Sequence, residues 1–174
     1  METKFTKPLA DVAVTADGTQ VQGYASLWGA EDQGGDIVEK GAYGASLCRL
    51  VARDETVKML WQHDPAQPIG RWLSIQEDRR GLRVRGKLNL AVERARDIHA
   101  LMRDGAVDGL SIGFRVERAR AERPTGLRRL EKLDLWEISV VTFPMLLSAR
   151  VETVKHARPR LAQSIRSAAS RLFS

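Results

Sequence analysis

Residues 82–90 constrain the fold more than any other part of this chain. Leu82, Val84, Gly86, Leu88 and Leu90 alternate with Arg83, Arg85, Lys87 and Asn89. Successive strand side chains point to opposite faces, so this alternation predicts a strand with one face in a core and the other in water. Ahead of it, Ile69, Trp72, Leu73 and Ile75 form a second apolar run, and the turn-rich EDRRG joins the two. The region therefore predicts an antiparallel hairpin, and a hairpin needs further strands or helices to cover its apolar face.

The rest of the chain supplies them. Val12 and Val14, the turn residues Asp17-Gly18, and then Val21, Tyr24, Ala25 and Leu27 predict another hairpin. TVKMLWQHDP predicts an apolar strand running into a proline-marked loop, and VDGLSIGFRVE and LRRLEKLDLWEISVVTF predict two more strands, the second ended by Pro144. GAEDQGGDIVEKGAYG reads as loop, and YGASLCRLVAR as a short helix. Val92 to Arg103 predicts the best helix, with Val92, Ile98, Leu101 and Met102 as its apolar positions and Asp104-Gly105 as its stop. Many strands with few helices predict a mainly β, α+β chain built as an antiparallel barrel or sandwich rather than alternating βαβ units. At 174 residues there is room for one core.

Charge and cysteine content narrow the function classes. The net charge is +6, and beyond Met145 stand Arg150, Lys155, Arg158, Arg160, Arg166 and Arg171 against Glu152 alone. The basicity thus belongs to a tail, and the near-neutral body gives no electrostatic reason for a nucleic-acid-binding domain. In that tail Leu161, Ile165, Ala168, Ala169 and Leu172 fall on one helical face, which suits a docking helix or a disordered appendage equally. Cys48 is the single cysteine, which excludes a disulfide framework and a cysteine zinc cluster; it is expected as a small core residue. No run is long and apolar enough for a membrane span, and METKFTKPLADVAV lacks the apolar region of a secretion signal, so a cytoplasmic protein is expected.

Gly109-x-Ser111-x-Gly113 has the form of a nucleophile elbow, which requires strand, sharp turn, then helix. Ile112, Gly113, Phe114, Arg115 and Val116 continue a strand instead, and the only later histidine is His156 in the charged tail. The elbow reading fails. A serine–histidine–acid set is defined by geometry rather than chain order, however. His63 ends an apolar strand at the entry to a loop, where site residues on rigid scaffolds tend to lie, while His99 sits in the helix. Asp64, Asp134 and Glu137 are candidates to orient the imidazole. Glu137 either projects with Leu135 and Ser139 from one strand face, or faces water beside an arginine such as Arg115; pattern alone supports both. Gly109 and Gly113 are read as room for a substrate backbone, or as a bulge or barrel bend.

Five blocks, GYASLWG, GGDIVEKGAYGASL, KMLWQHDPAQPIGRW, GLSIGF and LWEISVVTFPML, follow one another between Gly23 and Met145. Together they resemble the prohead maturation proteases of tailed phages and phage-like particles, a family similar in fold to the herpesvirus assemblins. The resemblance implies an assemblin-like β-barrel protease domain over 1–148 and a basic tail over 149–174. It implies a serine endopeptidase with Ser111 as nucleophile, His63 as general base and acid, and Glu137 as the group that orients His63, with neither cofactor nor metal. The implied substrates are scaffolding protein or the scaffold-like region of the major capsid protein, with self-cleavage and a homodimer as further expectations. No membrane partner is implied, nor nucleic acid except through the basic tail. The implied place of action is the assembling prohead in the host cytoplasm. The rival expectation is an inactive barrel that serves as a scaffold or assembly module of the capsid.

Overall fold

The computed structural model describes residues 19–154. The alternating segment forms β5 (Gly81–Leu88), hairpinned to β4 (Asp64–Glu77) with Trp72 opposite Gly86 and Ile75 opposite Val84. Leu82, Val84 and Leu88 are buried, as the alternation requires. Each such side chain contributes about 1.5–3 kcal/mol by leaving water. Ahead of them come β1 (Gln20–Leu27), β2 (Asp36–Val38), α1 (Gly44–Ala52) and β3 (Lys58–Trp61). After them come α2 (Glu93–Asp104), β6 (Gly109–Ala121), β7 (Arg128–Val141) and β8 (Val151–Val154). The first arm of the expected N-terminal hairpin, His156 and the expected tail helix lie outside the described residues.

The strands form one curled sheet in the order β2-β7-β3-β4-β5-β1-β8, with β6 on β7. The curl brings its ends together. Gly109 of β6 bridges Arg150, the Leu110 N–H donates to the Ala149 carbonyl at 2.9 Å, and the Val151 N–H donates to the Asp108 carbonyl at 2.8 Å. The expected barrel of mostly antiparallel strands is therefore present, but β2 and β3 both pair with β7 in parallel. Among the described residues no helix is long and apolar enough to cross a membrane.

Four local expectations are corrected. The glycine-rich segment read as loop contains β2, a strand of three residues, too short to show a period, held by Ile37 opposite Arg129 and a bidentate Arg128–Asp36 ion pair. Cys48 is exposed, because α1 turns Ser46 and Leu47 inward and leaves the next position outside. On α2 the buried residues are Ala95, Ile98 and Met102, while Val92 and Leu101 are exposed. The helix stops as expected at Gly105, whose φ of 83° is the left-handed value that favours glycine. Finally, β8 lies beyond residue 148 and pairs with β1, with Val21 opposite Val154, so the sheet extends into the segment read as tail.

Candidate active site

The site is built by β7 and two of its neighbours, β6 and β3. Ser111 on β6 stands opposite Ser139 on β7, and Gly113 stands opposite Glu137. Directly opposed residues project from the same face, so Ser111, Ser139 and Glu137 share it. On the other side of β7, Lys58 of β3 aligns with Glu137 and Trp61 with Val140, which carries the end of β3 to the same place. There Trp61 pairs with Asp64, and Gln62 and His63 alone make the turn. Both have positive φ, 53° and 61°.

A two-residue hairpin of this kind favours Asn-Gly, so Gln-His gives no turn signal in the sequence. The strand was expected to run through His63 to a proline loop. Left-handed residues other than glycine cost of order 1–3 kcal/mol each and persist only where the surroundings hold them. Here the Gln62 N–H donates to the Val140 carbonyl at 3.1 Å, the Gln62 amide to Thr142 Oγ1 at 2.7 Å, and the His63 N–H to Ser139 Oγ at 3.1 Å.

The turn aims the imidazole between two side chains. His63 Nδ1 is 2.6 Å from Glu137 Oε1, and Nε2 is 2.9 Å from Ser111 Oγ. An ionised carboxylate can only accept, so the proton lies on Nδ1, and in the neutral ring Nε2 is left to accept from the serine hydroxyl. Ser111 is 4% exposed and Glu137 9%, whereas the His63 side chain remains 42% exposed. The hydrogen bond that Nδ1–H donates to Glu137 raises the His63 pKa above its ordinary value, against the opposing effect of burial. A hydroxyl, a base with its acceptor nitrogen turned to that hydroxyl, and a buried carboxylate behind the base can together activate an oxygen nucleophile.

The other candidates go elsewhere. Asp64 accepts from the Ala66 N–H at 2.9 Å and from the Gln67 amide at 2.7 Å, and so shapes the start of β4. Asp134 binds Arg49 at 2.8 Å and Arg115 at 3.2 Å, so the arginine considered for Glu137 is engaged by Asp134, earlier on β7. His99 lies half-buried on α2.

Gly113 and Gly109 make room for the protein itself rather than for a substrate backbone. A Cβ on Gly113 would stand 2.1 Å from Glu137 Oε1, and one on Gly109 would stand 2.6 Å from the Val141 carbonyl oxygen. A cleft of about 160 Å³ opens beside Ser111, lined among others by Ile112 and Phe114 of β6, Ala25 and Leu27 of β1, and Met145. Sequence reasoning did not single out Ser139. The only signal for it was its place two residues after Glu137, on the same strand face.

Residues 7–163 match the family described as Caudovirus prohead serine protease. The chain belongs to that family. Among the relatives of this prohead protease family member, the prohead protease of Enterobacteria phage HK97 is 36% identical over 149 residues, which is 83% of this chain and 65% of that protein. The prohead protease of Escherichia phage T5 is 28% identical over 125 residues, 72% of this chain and 58% of that protein. The chain thus spans less than two thirds of the length of either. In fold, the bacteriophage T4 capsid assembly protease superposes with a TM-score of 0.58 at 12% identity, over 70% of this chain and 80% of that one. A KSHV protease aligns at a TM-score of 0.49 and 12% identity, over 72% of this chain and 60% of that one.

Proposed function

We propose that this chain is a serine endopeptidase of capsid maturation in which Ser111, His63 and Glu137 do the chemistry. The observation that carries the reading is the single imidazole spanning Ser111 Oγ at 2.9 Å and Glu137 Oε1 at 2.6 Å. Ser111 attacks the scissile carbonyl as its proton passes to His63 Nε2. The imidazolium so formed is stabilised by Glu137, which stays ionised. His63 then returns the proton to the leaving amine, and the C–N bond breaks to leave an acyl-serine. A water activated by the same imidazole hydrolyses that ester and restores the serine. The rigid strands that carry Ser111 and Glu137 suit the positional accuracy these transfers need.

Family membership supports the substrate class. It is scaffolding protein, or the scaffold-like region of the major capsid protein, cut inside the assembling prohead in the host cytoplasm, with self-cleavage as an accompanying reaction. The test is co-expression with the capsid protein, wild type against Ser111→Ala, reading capsid protein mass. Wild type shortens the capsid protein and Ser111→Ala leaves it whole. An unshortened capsid protein with wild type favours the rival, an inactive assembly module; cutting by Ser111→Ala removes Ser111 as nucleophile.

A further inference from the structure

The structure points to a fourth functional side chain, and we infer that Ser139 is a positioning residue that holds Glu137 and His63 in register through one hydroxyl. This inference rests on the protease reading above. A serine hydroxyl has one proton to give and two lone pairs to receive. Ser139 uses both capacities inside the site: it donates to Glu137 Oε2 at 2.6 Å and accepts the His63 backbone N–H at 3.1 Å. It is fully buried, so water does not replace it at either contact.

The two contacts address different degrees of freedom. The bond to Oε2 fixes the rotation of the Glu137 carboxylate, so that its other oxygen, Oε1, meets His63 Nδ1 at 2.6 Å. The bond from the His63 N–H fixes the second residue of a turn whose two members both have positive φ. One end of the imidazole–carboxylate pair is thus tied through its side chain and the other through its backbone, both to the same atom. The geometry follows from register. Glu137 and Ser139 are two apart on β7 and share a face, while β3 runs parallel to β7 with Leu60 opposite Ser139, which sets its exit turn above that hydroxyl. Glu137 is the charged group that acts on His63, so loosening the pair has a spectroscopic signature in the imidazole.

The experiment titrates His63 by imidazole NMR in a Ser111→Ala background, with and without Ser139→Ala, and measures kcat and KM in the Ser111 protein. Ser139→Ala is expected to move the His63 midpoint to lower pH. It is also expected to lower kcat about 10- to 100-fold with KM little changed, the size of one hydrogen bond to a charged group. Ser139→Cys fills the same space with a weak donor and acceptor, so it tests the inference if the alanine variant does not fold; it should show the same shift. In a Glu137→Gln background Ser139→Ala should cost less than it does beside Glu137, because the carboxylate it orients is gone and only its bond from the His63 N–H is left to lose. An unchanged His63 midpoint in a folded Ser139 variant, or a kcat loss that persists undiminished in the Glu137→Gln background, overturns the inference. The titration reads Ser139 without catalysis, whereas failure of wild type to cut capsid protein removes the protease reading, so the two fail separately.

Discussion

Gly113→Ala tests the site by adding one methyl group. The φ of Gly113 lies outside the left-handed region, so alanine meets no backbone obstacle. What it meets is the Glu137 side chain: the new Cβ would stand 2.1 Å from Oε1, 2.8 Å from Cδ and 2.9 Å from Cγ, where real contacts stay above 3.0 Å. The carboxylate must therefore retreat by roughly 1 Å, and the 2.6 Å contact between Oε1 and His63 Nδ1 is lost with it. If Glu137 orients His63 as proposed, a displacement of that size should cost about 100-fold in rate. Stability changes far less. Alanine is intrinsically better than glycine in a strand by about 0.5–1 kcal/mol, against an overpacking cost of about 1–3 kcal/mol. The assay is kcat on a peptide spanning a cleavage site first mapped by mass in the capsid protein co-expression, measured well below the melting temperature, beside a thermal melt. In a Glu137→Ala background the added methyl meets no carboxylate, and it should then cost nothing further. Wild-type kcat for Gly113→Ala, or the same fractional loss with and without Glu137, would refute the reasoning.

Further perturbations test the His63–Glu137 pair by pH and the Asp36–Arg128 ion pair by stability. Because Glu137 raises the His63 pKa, the acid limb of kcat/KM should have its midpoint above the ordinary value of about 6.5. Glu137→Gln should move that midpoint to lower pH and cut the plateau about 100- to 10,000-fold, read from a pH–rate profile. The same raised value means that protonated His63 favours the folded state: this contribution is complete below about pH 6.5 and disappears as pH rises through the folded-state value. Arg128→Met should lower the melting temperature by roughly 3–8 °C, since the Asp36 side chain, 11% exposed, loses both of its guanidinium hydrogen bonds while the arginine itself is 53% exposed. Asp36→Asn in the same chain should recover part of that loss.

The sequence by itself determined the elements other than β2 and β8, and the candidate chemistry. Alternation in 82–90 made a half-buried strand unavoidable, the spacing in 92–103 made a helix, and strand pattern after Ser111 ruled out an elbow. Block order brought His63, Ser111 and Glu137 forward as a set. These signals are legible because they are local: a period of two or 3.6 is written along the chain whatever it later packs against. Only the tertiary structure decided which strands meet and how. That β3 runs parallel to β7, that β8 continues the sheet past residue 148, and that Glu137 faces His63 while Arg115 turns to Asp134 all depend on pairings between distant segments. Alternation does not encode a neighbour's identity or direction. For the same reason the turn at Gln62-His63, the space above Gly113 and the double duty of Ser139 could not be read in advance. Each is a property of the residue opposite, and only folding chooses that residue.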